Sequence, residues 1–165
     1  KKINFTHKTI LLVGTAFFLI LYSQIESYAH EYKHGELTIY HPYSQPNRPG
    51  LENGVMYIVK IKNNSKKSHI LKKITSPVAK SCEIHNMKIN KQSGLMKMRR
   101  ITSLIIPANE VVSLKKGNKD GYHIMLIGLK RNLNVGEKFY ATMFFENMSP
   151  IKVDVEVSKL KNHQH

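Results

Sequence analysis

The chain has 165 residues, of which 41% are hydrophobic and 22% charged, which is the balance of one folded domain rather than of a disordered chain. A single cysteine excludes an internal disulfide bond. The formal net charge is +15, but the basic residues are scattered and no nucleic-acid-binding motif accompanies them. We therefore expect no nucleic-acid partner, and a basic solvated surface that favours peripheral contact with an anionic membrane or an acidic protein.

Residues 1–29 have the order of a secretory signal peptide. A basic start precedes an apolar run at residues 9–22, and Ser27 and Ala29 fit the −3 and −1 positions of a cleavage site. The apolar run is shorter than the ~20 residues that a membrane-spanning helix needs. We predict export to the periplasm with removal of this segment. The alternative is that the segment stays on the protein as an inner-membrane anchor.

After residue 29 the sequence changes to the alternation of apolar and polar residues that is typical of β-strands. Turn-forming Gly, Pro, Asn and Ser residues separate the alternating segments, and no helical period is present. Many short strands at regular spacing predict an all-β fold, an antiparallel β-sandwich over residues 30–158 that acts as a monomer. The predicted strands cover residues 36–41, 55–62, 69–75, 82–89, 95–100, 110–114, 122–128, 138–146 and 151–157.

The central part of the chain carries the most informative pattern, two His-x-Met pairs with a Met between them. Residues i and i+2 of a strand point to the same face, so each pair can direct an imidazole and a thioether towards one point. Soft thioether sulfur suits Cu(I), whereas a zinc site would use Cys, His and carboxylate ligands. Met96 is a reserve candidate because it shares a face with Met98. The candidate metal ligands are His85, Met87, Met98, His123 and Met125.

Methionine also fills irregular gaps in hydrophobic cores, so each single Met has an ordinary structural interpretation. The same holds for Cys82, which alternation places on the side of Ile84 and away from His85. We expect a buried structural role for Cys82, and the alternative is a further soft ligand. The sequence has no G-x-S-x-G, phosphate-loop or H-E-x-x-H motif, and we predict that the protein is not an enzyme.

The last residues, 159–165, are polar and form a predicted flexible tail. This tail contains His163 and His165, and imidazole is a good ligand for Cu(II). A second, Cu(II)-binding position in the tail is therefore one hypothesis. The other is that the two histidines have no role in metal binding.

The two His-x-Met pairs and their spacing resemble the motif of the PCu(A)C family of periplasmic copper chaperones. The interval of ten residues between Met87 and Met98 matches that motif. The second interval, residues 99–122, is longer here, and its extra length falls in the turn-like run 115–121, where an insertion costs little. Further similarity at His34 to Pro42, Gly54 to Tyr57, Ser76 to Ala79 and Gly136-Glu137 extends the resemblance over about residues 34–157.

The resemblance implies a cupredoxin-like or immunoglobulin-like sandwich that holds Cu(I). It also implies delivery of copper to the copper A centre of cytochrome c oxidase, either directly to the copper-binding subunit or through a Sco-type chaperone. Two other functions remain open. One is an electron-transfer cupredoxin in which Cys82 joins His85, His123 and a Met. The other is storage or scavenging of copper in the periplasm.

Overall fold

The computed structural model of the protein describes residues 31–90, 92–115 and 120–159, and these form eleven β-strands and no helix. The all-β prediction is confirmed. The strands are β1 (Glu31–His34), β2 (Leu37–Ser44), β3 (Gly54–Asn63), β4 (His69–Thr75), β5 (Ala79–Ile89), β6 (Met96–Ile101), β7 (Leu104–Ile106), β8 (Val111–Leu114), β9 (Asp120–Leu129), β10 (Lys138–Phe145) and β11 (Ile151–Val157).

The strands join in one curved sheet with the order β6-β5-β9-β3-β2-β11-β10-β4-β7, while β1 pairs with β2 and β8 with β3. Neighbouring strands are antiparallel except for the pair β2 and β11, which is parallel. The sheet curves until β4 packs against β5, so that its inner faces enclose one hydrophobic core. This closure leaves β6 at one end of the strand order, next to β5 alone among the described strands.

Alternation along the strands decides which side chains enter this core. In β11 the side chains of Ile151, Val153 and Val155 are buried, whereas Lys152 and Asp154 between them are exposed. The inward-facing residues of β10 follow the same period of two, as expected for a sheet with one solvated face. Strands β2 and β3 depart from it, since each also buries consecutive residues, Leu37 to Ile39 and Met56 to Ile58. The core therefore comes from the apolar pattern that the sequence already shows.

A buried asparagine closes the loop after β3. Asn63 is fully buried, and its Nδ2 donates hydrogen bonds to the carbonyl oxygens of Lys67 at 2.7 Å, Ile106 at 3.1 Å and Pro107 at 3.0 Å. Its Oδ1 accepts a hydrogen bond from the backbone N–H of Ser65 at 2.9 Å. One side chain thus satisfies backbone groups of two separate loops, as buried polar groups require.

The predicted strand list is wrong at three places. Strands β1 and β7 were not predicted, because Glu31–His34 is polar and Leu104–Ile106 is too short to show alternation. The region around Pro42 was predicted as an irregular loop, yet β2 continues through it, and Pro42 pairs with Ile58. The strand passes this point with His41 in the left-handed region at a φ of 47°, a local departure from strand geometry that a sequence pattern does not reveal.

Several predictions concern residues outside the described part of the chain. The signal segment 1–29 lies there, as do the tail residues His163 and His165. Among the described residues, no helix has the length and apolar character needed to cross a membrane.

Candidate metal site

Strand pairing brings the two His-x-Met pairs side by side. His85 on β5 lies directly opposite His123 on β9, and the centroids of the two imidazole rings are 5.5 Å apart. Met87, two residues further along β5, lies opposite Met98 on the edge strand β6. Directly opposite residues of an antiparallel pair, and residues two apart on one strand, project to the same face, so all five predicted ligands share one face of three neighbouring strands.

The candidate ligands are buried to very different degrees. His123 is 3% exposed and Met87 is 8% exposed, whereas Met98 on the edge strand is 55% exposed. The cluster therefore has a buried floor of an imidazole and a thioether, and a second thioether at its solvent-facing rim. An ion held here would be reachable from outside through the β6 side.

The fifth predicted ligand occupies a different position in the register. Met125 lies opposite Glu83 on β5 and Val55 on β3, on the other side of the imidazole pair from Met87. Four strand residues separate the two methionines in register, a distance of about 13 Å along the strands at ~3.3 Å per residue. One ion above the imidazoles can meet both thioethers only if each of them turns towards the rings.

The reserve candidate, Met96, lies farther out. It pairs with Ile89, two residues beyond Met98 on β6, and it is 52% exposed. This step adds about 7 Å between Met96 and the imidazole pair along the strand. The register therefore places Met98 closer than Met96 to both histidines.

The buried imidazole of His123 has an unusual environment. Its Nδ1 atom is buried and makes no hydrogen bond to any described residue. Burial, and to a lesser extent the neighbouring His85, lowers the pKa of His123 below its ordinary value, so that the ring is neutral at neutral pH. A neutral imidazole with a free nitrogen is the form that binds metal ions. The donor set and this unpartnered atom both fit a soft metal ion.

The second imidazole is held by residues that the sequence interpretation missed. His85 Nε2 donates a hydrogen bond to Glu83 Oε2 at 2.9 Å, and the other carboxylate oxygen of Glu83 is 3.4 Å from Arg100 Nη1. The hydrogen bond from His85, and then the charge of Arg100, lower the pKa of the Glu83 carboxyl. The available signal was the strand period, since Glu83 precedes His85 by two residues and shares its face.

Cys82 lies on the opposite face from the histidines. It pairs with Leu126 on β9 and packs against the hydrophobic core. Burial raises the pKa of its thiol to about 11, so the thiolate that would bind a metal is strongly disfavoured. A blue-copper arrangement needs thiolate and imidazole ligands around one ion, and this geometry separates Cys82 from His85 and His123.

No group of three or more His, Cys, Asp or Glu side chains within the described ranges is arranged to hold a metal ion. The cluster on β5, β6 and β9 contains two imidazoles, and its further donors are thioethers. The candidate site is therefore a mixed His and Met site.

The fold and this cluster define a class of protein, a cupredoxin-like β-domain with neutral nitrogen and sulfur donors on one face. The chain belongs to the family described as "Putative lipoprotein LpqE-like", whose model matches residues 37–157. The cupredoxin-like fold prediction is confirmed by solved structures, and the resemblance to PCu(A)C proteins is supported at the level of the fold.

The solved structures that the chain resembles are copper-related domains. The copper-bound PCuAC domain from PmoF2 has a TM-score of 0.66 at 21% identity, covering 79% of this chain and 99% of that domain. The apo PCuAC domain from PmoF1 has a TM-score of 0.65 at 24% identity, covering 79% of this chain and all of that domain. The Cu(I) form of DR1885 from Deinococcus radiodurans has a TM-score of 0.58 at 24% identity, covering 86% and 89%.

Two curated proteins are similar in sequence. "Uncharacterized protein RP573" of Rickettsia prowazekii is 36% identical over 109 residues, which cover 66% of this chain and 57% of that protein. "Putative lipoprotein Lxx21020" of Leifsonia xyli subsp. xyli is 32% identical over 98 residues, which cover 58% and 57%. The chain thus spans little more than half the length of the curated relatives that it matches.

Proposed function

We propose that this protein binds Cu(I) reversibly at the cluster on β5, β6 and β9 and passes the ion to another copper protein. The observation that carries this proposal is the unpartnered, buried Nδ1 of His123, directly beside His85 and on the face that also carries Met87 and Met98. The proposed ligand set is drawn from His85, Met87, Met98, His123 and Met125.

The chemistry of these donors favours a carrier. Thioethers and neutral imidazoles are soft or borderline ligands that select Cu(I) over hard divalent cations. They bear no charge, so they hold the ion less tightly than thiolates and release it to a site that offers thiolates. Thioethers also need no deprotonation, which keeps them competent as ligands in mild acid. The exposed Met98 offers the side from which a receiver can approach.

The proposal extends to the cellular location of the protein and to the copper protein that receives the ion. A family and a relative that are both described as lipoproteins support an exported protein of the cell envelope, either in the periplasm or anchored to the inner membrane. The proposed receiver is the copper A centre of cytochrome c oxidase, reached directly or through a Sco-type chaperone. A single cysteine cannot reduce a disulfide by a dithiol mechanism, so any thiol redox step belongs to the partner.

Anaerobic titration of the metal-free protein with Cu(I), in competition with a chromophoric chelator, tests the binding step. We expect one high-affinity ion and an X-ray absorption spectrum with nitrogen and sulfur neighbours. His123→Ala should weaken binding, whereas His69→Ala should not, because His69 contacts Ser65 in the loop after β3 and does not belong to the proposed ligand set. Equal affinity in both variants would contradict the proposed site.

Transfer needs a separate experiment. The Cu(I)-loaded protein is mixed with the soluble copper-binding domain of the oxidase subunit, or with a reduced Sco-type protein, and the metal is followed in both. Movement of copper to either receiver supports a chaperone. Copper that stays on this protein with both receivers would contradict transfer and leave storage or scavenging as the function of the site.

A further inference from the structure

A chain of three polar side chains runs along the outer face beside the copper cluster. Glu83 and His85 are two residues apart on β5, and Arg100 lies opposite His85 on β6. The Glu83 carboxylate contacts both partners, with 2.9 Å from Oε2 to His85 Nε2 and 3.4 Å from Oε1 to Arg100 Nη1. Arg100 is the penultimate residue of β6, which ends at Ile101.

We propose that Glu83 and Arg100 are positioning residues of the copper site, and this inference rests on the proposed function. Glu83 holds the imidazole of His85 in one tautomer and one orientation. A carboxylate only accepts hydrogen bonds, so His85 must carry its proton on Nε2 when the ring is neutral. The lone pair then lies on Nδ1, which becomes the nitrogen presented to the ion.

This assignment places a proton-free Nδ1 on His85, next to the unpartnered Nδ1 of His123. His123 has its own Nδ1 buried and without a partner among the described residues. With Nε2 of His85 occupied by Glu83, Nδ1 is the nitrogen of this ring that remains available for the metal. Because the ring already has one tautomer and one orientation, the entropic cost of ordering it when the ion binds is smaller.

Arg100 extends this effect to the edge strand. It is two residues from Met98 on β6, and its contact with Glu83 connects the strand that carries the exposed thioether to the side chain that orients His85. The side chain of Arg100 is 70% exposed, and an exposed ion pair contributes little to folding stability. Its role is therefore in the placement of Glu83 and β6 rather than in the stability of the domain.

The tautomer of His85 is measured directly in the metal-free protein. Long-range nitrogen–proton correlation spectra of 15N-histidine-labelled protein, taken at about pH 8.5 where an ordinary imidazole is neutral, distinguish Nε2–H from Nδ1–H rings. We expect His85 to be an Nε2–H ring in the wild type. Glu83→Ala should lose this preference, and Glu83→Gln should keep part of it, because its amide oxygen still accepts a hydrogen bond.

Cu(I) affinity gives the functional result. Loss of an outer-shell partner typically lowers metal affinity by about 10–100-fold, and we expect this range for Glu83→Ala and a smaller loss for Arg100→Gln. Glu31→Gln is the matched control, since Glu31 pairs with Lys33 on β1, which joins β2 rather than the strands of the cluster, and should change neither property. An Nδ1–H tautomer of His85 in the wild type, or unchanged affinity in Glu83→Ala, would overturn the inference.

The two measurements separate this inference from the proposed function. If the wild type fails to bind Cu(I), the proposed function is wrong, and the metal-free spectra still decide whether Glu83 fixes His85. If His123→Ala loses copper while Glu83→Ala keeps wild-type affinity, the site is correct and the positioning role is wrong. Folding of each variant is checked by its thermal midpoint, which should match that of the control.

Discussion

Replacing His123 by Leu should make the metal-free protein more stable while it removes a ligand of the proposed copper site. The ring is 3% exposed, and its Nδ1 has lost water without gaining a partner among the described residues. An unsatisfied buried polar atom costs about 1–3 kcal/mol, and replacing it by an apolar group of similar size removes that cost. Imperfect fit of the Leu side chain offsets part of the gain.

We therefore expect an increase of about 1–2 kcal/mol in the free energy of unfolding, or roughly 4–8 °C in the melting temperature of a domain of this size. Urea unfolding of the metal-free protein, followed by circular dichroism, gives the first quantity. The same variant should lose at least the tenfold in Cu(I) affinity that removal of an outer-shell partner typically costs.

The control is His69→Leu. The Nε2 of His69 lies 3.2 Å from the Ser65 hydroxyl, so this substitution removes a partnered group and should lower stability. A clear loss of stability in His123→Leu would refute the reasoning, because it would mean that Nδ1 of His123 is satisfied in the metal-free protein.

The pH dependence of stability gives a second check. Since burial lowers the pKa of His123, the unfolded chain takes up this proton first, and stability should fall as the pH drops below about 6.5.

Three further predictions concern single side chains. Met98→Leu should change the free energy of unfolding by less than ~1.5 kcal/mol, because Met98 is largely exposed. Its Cu(I) affinity, measured by chelator competition, should fall below that of the control variant Met148→Leu, and equal affinity in the two variants would contradict a thioether ligand. Cys82 of the folded protein should react with iodoacetamide at pH 8 far more slowly than Cys82 of the protein unfolded in urea, because burial raises its pKa to about 11, and fast labelling of the folded protein would contradict a core-facing thiol. The free energy of unfolding should fall as the pH rises from about 9 towards that value. Asn63→Ala should lower the free energy of unfolding by about 2–4 kcal/mol in a urea titration, because it leaves two buried partners unsatisfied, whereas the exposed Asn64→Ala should stay within about 0.5 kcal/mol of the wild type.

Local patterns in the sequence predicted most strands well. The bounds of β4 and β11 agree with the prediction at both ends, because alternation there is regular and turn residues flank each strand. The continuation of β2 through Pro42 was not predictable, since it depends on pairing with β3 and on the unusual backbone of His41. Propensity describes a residue alone, and pairing with a neighbour overrides it.

The candidate ligands could be selected from sequence because the strand period places each His and Met of a pair on one face. The register between the strands that carry them could not be predicted from sequence, because β5 and β9 are joined through a long connection that contains three other strands. That register decides that the two histidines face each other and that Met125 lies on the far side of them from Met87. It also brings Arg100 next to Glu83, a contact between strands that no local spacing indicates.

The edge position of β6 suggests a route by which an ion held at the proposed site would leave. Within the described part of the chain this strand forms one ladder, with β5, so peeling it away breaks a single row of backbone hydrogen bonds while the closed core stays intact. Such partial opening needs far less free energy than global unfolding, and amide protons of β6 should therefore exchange with solvent well before those of β9. Withdrawal of Met98 with its strand would take one donor from the ion and leave the imidazole pair in place. Release could then proceed by fraying of one strand, at a rate set by local rather than global stability.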